Sequence, residues 1–356
     1  MKTDYQQFFF MFLKVLLFGI LIHGLIIFLV DPLMNYRIPK FYKPYISNER
    51  YMNPGMAKNL KYDSILVGSS VTQIMVPSDF DSIFGGKTIK LSMNDITAYE
   101  TNQILKVGLN ANNIHRIYYG IDPFSFRGEV TRVAYKELPH FIYNNNFFDD
   151  YKYLLNTQIL IKDIGMKLIA AKILGRKPNN SNSIDNPYYV EGNYSGKRLF
   201  DSWKSGSKNF SNESINFQCS NMIKSFDKNI VSLIKSNSEV DYYLFFPPYS
   251  ILYWDRVSRE EWIDDAICFK QYVAKFAVKN SNVILFDFQN LNEITFDLDN
   301  YENLRHFSPL IGRKIITMMK NNIGAVNYSN TYLQDFMTLK DQVRGLKDSK
   351  LIFSRE

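Results

Sequence analysis

Two short stretches hold the side chains best suited to chemistry. The first, "GSSVTQ" from Gly68 to Gln73, closes an apolar run and offers a serine hydroxyl at a tight turn. The second, "YENLRHFSPLIG" from Tyr301 to Gly312, holds His306, one of four histidines. A hydroxyl near neutral pH needs a base to take its proton, and an imidazole within hydrogen-bond reach is the usual one. Ser70 is therefore the candidate nucleophile and His306 the candidate base. Asn303 stands three residues before His306, where an orienting carboxylate would be wanted. An amide can accept the ring N–H but brings no charge; Glu302, Asp299 and Asp297 are alternative orienters. Taken singly, Ser70 is better explained as a helix N-cap than as a nucleophile, and His306 can be an ordinary residue at a helix start.

Position decides between these readings. Short β-rich runs, "DSILVGSS", "KTIKLSM", "IHRIYYGID", "VDYYLFFPP" and "NVILFDF", alternate with helical stretches such as "TAYETNQILKVGLNA" and "REEWIDDAICFKQYVAKFAVKN". Continuous apolar strands are those buried on both faces of a parallel sheet. The expected fold is α/β: a three-layer α/β/α sandwich around a mostly parallel five-stranded sheet. Ligands in such sheets sit beyond the carboxyl ends of the strands. That edge should receive Ser69, Ser70 and Val71 after the first strand, and Ser92, Asn94 and Asp95 after the second. Asp122 follows the third, Pro248 and Tyr249 follow the fourth, and His306 opens the last helix through Ser308 and Pro309. Backbone N–H groups near Ser70 and Asp95 are candidates to hold an oxyanion.

The bulk properties narrow the class. A chain of 356 residues that is 46% hydrophobic can bury a substantial core. The net charge of +7 suits an anionic polymer or membrane surface, although lysine, asparagine, isoleucine and tyrosine are abundant throughout. Nucleic-acid binding is disfavoured, for no basic run with interleaved aromatics and no recognition signature is present. The histidines lack metal-ligand spacing and "GSSVTQ" lacks the lysine of a phosphate loop, so no cofactor or metal is expected. Cys219 and Cys268 match no zinc or redox spacing and read either as an extracellular pair or as buried thiols.

"FFFMFLKVLLFGILIHGLIIFLV", Phe8 to Val30, is long and apolar enough to cross a bilayer and lacks a small-residue cleavage site. Residues 1–30 are expected as an uncleaved single-pass anchor, with Lys14 and His23 in the span as points where a helical membrane partner could pack. Residues 31–60 show too little periodicity for a helix and read as a stalk. The α/β domain is expected over 61–328 with a helical insertion over about 128–238. Residues 329–356 read as a charged helical tail.

The blocks "YDSILVGSSVTQ", "KTIKLSMNDITAYE", "RIYYGIDPFSF", "YYLFFPPYSILYW" and "YENLRHFSPLIG", in this order after one membrane helix, resemble the SGNH/GDSL hydrolase superfamily. The resemblance is greatest to its membrane-anchored branch of DltD-like and polysaccharide O-acetylation proteins. It implies Ser70 as nucleophile and His306 as the histidine of the DxxH pair. Three positions depart from the pattern: the acid falls on Asn303, the oxyanion glycine falls on Asp95, and Asp122 has no clear block asparagine beside it. The implied activity is a serine acyltransferase or esterase acting on O-acyl groups of a cell-envelope polysaccharide or teichoic-acid-like polymer. The resemblance further implies an extracytoplasmic domain at the cell membrane and a multispanning membrane acyltransferase as partner. The alternative is a catalytically degenerate polymer-binding or scaffold subunit on the same fold.

Overall fold

The five apolar runs form five strands: β1 (Ser64–Gly68), β2 (Thr88–Lys90), β3 (Arg116–Gly120), β4 (Asp241–Phe246) and β5 (Val283–Asp287). All pair in parallel, in the order β2-β1-β3-β4-β5. Every residue of β1 and β2 is buried, as expected of strands covered on both faces. The structure is a computed structural model that describes residues 2–42, 44, 48–135, 137–173, 186, 192–206, 214–326 and 332–347. It divides into two compact units, Met1–Leu60 with Pro139–Ile184, and Lys61–Leu138 with Asp185–Glu356.

The second unit contains the sheet. Right-handed crossovers require the β1-to-β2 connection to pass on one face and the later connections on the other. Accordingly, the helix between β1 and β2, Pro77–Phe84, packs with the last sheet helix, Pro309–Lys320. Ala98–Ala111 and Ile263–Ala277 pack instead with the helical stretch Cys219–Val231. The sheet is thus an α/β structure with helices on both faces. The connections reverse direction between β1 and β3, which makes the carboxyl ends of these two strands the topological switch point. The tail includes a helix over Tyr332–Arg344, and residues 348–356 lie outside the described residues. Cys219 and Cys268 form a disulfide between two helices of this unit.

The first unit contains helix α1 (Lys2–Val30), whose stretch Asp4–Val30 is long and apolar enough to cross a membrane. It also corrects the expectation that residues 31–60 have no helix: α2 spans Glu49–Asn59. Pro54 inside this helix hid it from the sequence, because proline lacks the N–H that would bond the carbonyl four residues back. Here that carbonyl, on Arg50, accepts the Tyr143 hydroxyl at 2.9 Å instead. Asn48 caps the helix by accepting the Arg50 N–H at 3.0 Å. Within the expected insertion, Pro139–Ile184 clusters with the N-terminal segment.

Candidate active site

The turn after β1 is shaped by what lies beneath it. Gly68 takes φ +152, and a Cβ there would sit 2.7 Å from Cγ2 of Thr72. Gly120, its register partner on β3, would place a Cβ 2.4 Å from the same methyl. Two glycines at the centre of the sheet therefore make room for Thr72 under the turn. Thr72 Oγ1 lies 2.8 Å from the Ser69 carbonyl, to which it donates, and 2.6 Å from Ser92 Oγ. Ser92 thus supports the turn from below. Ser69 is buried and caps the short helix α3 (Ser70–Gln73), which leaves Ser70 partly exposed at its first position.

A second loop brings the histidine. Tyr301 and Phe307 form an isolated antiparallel bridge, and the Glu302 N–H donates to the His306 carbonyl at 2.9 Å. The loop is latched to the end of β4: the Tyr301 hydroxyl donates to the Pro248 carbonyl at 2.9 Å, and the Ser250 hydroxyl donates to the Leu304 carbonyl at 2.8 Å. Ser308 then caps Pro309–Lys320, the helix with proline in its first turn.

These two loops place Nε2 of His306 2.9 Å from Oγ of Ser70, and Nδ1 of His306 2.9 Å from Oδ1 of Asn303. The same Oδ1 accepts the backbone N–H groups of Arg305 and His306, each at 3.1 Å. An amide nitrogen cannot accept those donors, so the group facing the ring is the oxygen. Nδ1 must then carry the ring proton, and Nε2 presents its lone pair to the Ser70 hydroxyl. This is the tautomer a general base requires. The neighbouring carboxylates are engaged elsewhere: Asp299 accepts the Gly196 N–H at 2.7 Å, Asp297 accepts the Asp299 N–H at 3.2 Å, and the Glu302 carboxyl lies beside Gly192.

Sequence reasoning passed over Arg305. Its guanidinium packs 4.7 Å from the centre of the Phe124 ring and reaches Asp122 Oδ2 at 3.4 Å. Asp122 is buried, accepts the Ser69 hydroxyl at 3.1 Å and caps the turn Pro123–Phe126 through the Phe124 N–H at 3.0 Å. Asp122 therefore joins the serine loop to the histidine loop across the switch point. The one signal for Arg305 in the sequence is a cation adjacent to the candidate base. Burial first, and the Arg305 charge second, push the His306 imidazole down from its ordinary value to about 4, against the opposing charges of Asp122 and Asp95. His306 is neutral at pH 7.

The remaining expected residues divide. Asn94 and Asp95 form the exposed tip of the turn after β2, closed by the Ile96 N–H on the Met93 carbonyl at 3.3 Å. Asp95 adopts φ 50, the left-handed conformation that favours glycine. Val71 is buried, with its N–H directed at Ser69 Oγ at 3.5 Å. Tyr249 is fully buried beneath the rim, against the rings of Tyr253 and Trp254. Burial, and then the charge of Asp122, hold its hydroxyl well above the usual tyrosine range. Among the described residues no cluster of three or more His, Cys, Asp or Glu is arranged to hold a metal ion. Comparison with models of known protein families and with curated proteins finds no match.

Proposed function

We propose that the protein is a membrane-anchored serine acyltransferase or acyl esterase of SGNH type, acting outside the cytoplasm on a cell-envelope polysaccharide or teichoic-acid-like polymer. One observation carries this reading: the relay from Ser70 Oγ through both ring nitrogens of His306 to Asn303 Oδ1, with each step at 2.9 Å. Nothing structural requires a hydroxyl, an imidazole and an amide oxygen in line at the rim of a sheet. Acyl transfer does.

In this mechanism His306 Nε2 takes the Ser70 proton as Oγ bonds to the acyl carbon, and the carbonyl π pair moves onto oxygen. Backbone N–H groups near Ser70 and at Asp95 receive that oxyanion; the glycine-like backbone of Asp95 supports this role. Collapse of the intermediate expels the donor's leaving group, which takes the proton from His306 and leaves an ester on Ser70. An acceptor hydroxyl then gives its proton to His306, attacks the ester and releases Ser70. Water in place of the acceptor gives hydrolysis. Anchoring favours transfer onto an immobilised polymer, with a multispanning membrane acyltransferase as the source of acyl groups. The helix Asp4–Val30 supports the membrane location, and the Cys219–Cys268 disulfide supports an oxidising compartment.

The test is fluorophosphonate labelling of the full chain in detergent, read by mass spectrometry, with Ser70→Ala as control. A label on Ser70 that is lost in the variant is the expected result. A folded protein that takes no label would instead leave the site to a polymer-binding subunit.

A further inference from the structure

The first unit has an apolar surface that the chemistry at Ser70 does not use. Phe147 and Phe148 are 78% and 85% exposed, and Ile161, Met166, Ile169 and Ile173 are all more than half exposed. They belong to a short 3-10 turn (Phe147–Asp149), to the π-wound helix Ile159–Ala170 and to the helical turn Ala171–Ile173 that follows it. Between turn and helix, Tyr151–Leu154 forms one further helical turn. Solvated side chains of this type and number are not an economical surface for water.

Their place within the unit says what covers them. The segment packs on α1: Gly24 faces the Leu154 and Leu155 side chains, where a Cβ would lie 3.8 Å from each. Tyr153 is fully buried and fixes the segment to the point where α1 ends. Its hydroxyl donates to Asp31 Oδ1 at 2.8 Å and accepts the Leu33 N–H at 3.3 Å. The Asp31 carboxylate also accepts the backbone N–H groups of Asn35, Tyr36 and Arg37, each at 2.9 Å, so it turns the chain out of the helix. Tyr153 therefore ties the segment to the end of α1. Leu155 and Thr157 lie beside Gly19, Ile20 and His23 of that helix, and the exposed apolar residues flank Tyr153 on both sides. Lys162 and Lys172 are exposed among them, and Lys152 pairs with Asp149 at 3.5 Å. Aromatic and aliphatic side chains mixed with lysine, beside a membrane span, are the composition of a lipid-contacting segment whose lysines reach the headgroups.

We infer that Phe147–Ile173 is a second membrane-contacting element, packed in lipid alongside α1. Its ligand is the bilayer itself, with anionic headgroups opposite Lys162 and Lys172. The segment makes the anchor a two-part device, a span and a flanking segment joined through Tyr153 and Asp31.

The test uses the full chain in vesicles of phosphatidylglycerol and phosphatidylcholine. Phe148→Cys and Ile169→Cys carry a nitroxide label, with Leu21→Cys as the lipid reference and Lys235→Cys as the water reference; the native cysteines are already paired. Collision with oxygen exceeding collision with a water-soluble nickel chelate at Phe148 and Ile169, as at Leu21, is the expected result. Accessibility at both positions matching Lys235 would overturn the inference. So would spin-spin broadening that disappears on dilution with unlabelled chain, because a second copy would then cover the surface.

Discussion

Oδ1 of Asn303 accepts three hydrogen bonds, and one of them comes from Nδ1 of His306 at 2.9 Å. Two backbone donors lock the amide oxygen toward the ring. In a serine protease whose orienting acid is changed to an amide, turnover falls by about 10⁴ because the amide selects the wrong tautomer. Here the surrounding backbone selects the right one, which removes that part of the penalty. What is still missing is the charge that would stabilise the imidazolium as it forms.

Restoring the charge is therefore informative. Asn303→Asp keeps an acceptor for all three donors and should raise both the His306 pKa and the rate of Ser70 labelling, the latter by about tenfold, or ~1.4 kcal/mol of barrier. Asn303→Leu removes the orienter and should lower labelling by about 10²-fold, within the range that general-base catalysis supplies. Equal labelling rates in the parent and both variants would show that Asn303 does not orient the base.

The pH dependence follows from the electrostatics. With His306 held at about 4, its neutral form persists well below the ordinary imidazole range, so the acid limb of the labelling rate should fall near pH 4. Arg305→Gln removes the neighbouring positive charge and leaves the Asp122 carboxylate in place, so the limb should move to higher pH. Because the unfolded chain takes up the imidazole proton first, the same depression makes stability fall as pH drops from about 6.5 toward 4. Labelling at a series of pH values and acid unfolding of both proteins check the two statements separately.

Gly120→Ala should disturb the nucleophile without touching it. The added methyl would meet Thr72 Cγ2 at 2.4 Å and the Phe245 ring at 3.1 Å, inside a sheet with no room to shift. A cost of about 1–3 kcal/mol is expected, together with slower labelling as Thr72 pushes on the Ser69 carbonyl it bonds. Thermal unfolding and labelling measured on one preparation would separate the two effects.

The disulfide should matter for stability alone. Cys219 and Cys268 are 49 residues apart, and a loop of that size carries about 3–4.7 kcal/mol of chain-entropy stabilisation. The double change to serine should lower the unfolding temperature relative to the oxidised parent and leave no difference from the parent once the parent has been reduced. Labelling of Ser70 below the transition should be unaltered.

The parallel sheet was legible because strands buried on both faces leave continuous apolar runs, and "DSILVGSS" and "NVILFDF" could take few other forms. Ser70 and His306 were legible because strand ends in such a sheet converge on one edge. Arg305 was not, since nothing in "NLRHF" indicates that its guanidinium turns back onto Phe124 and the Asp122 beyond β3. Helix α2 was concealed by Pro54, whose cost is met by Tyr143, a partner 93 residues from Arg50. The clustering of Pro139–Ile184 with the N-terminal segment and the joining of Cys219 to Cys268 are likewise long-range facts, invisible to local periodicity.

Ser70 and His306 are 236 residues apart in the chain. At about 5–20 residues per second, synthesis of that interval takes roughly 10 to 50 s. During this time Ser70 has no His306 beside it, and the loop of His306 latches onto Pro248 and Ser250, which follow β4. On the proposed mechanism, a growing chain therefore carries no activated serine until the histidine loop has been made. Under that reading the order of the residues itself serves as a timer, because the Ser70–His306 pair closes only after the last strand of the sheet has been made.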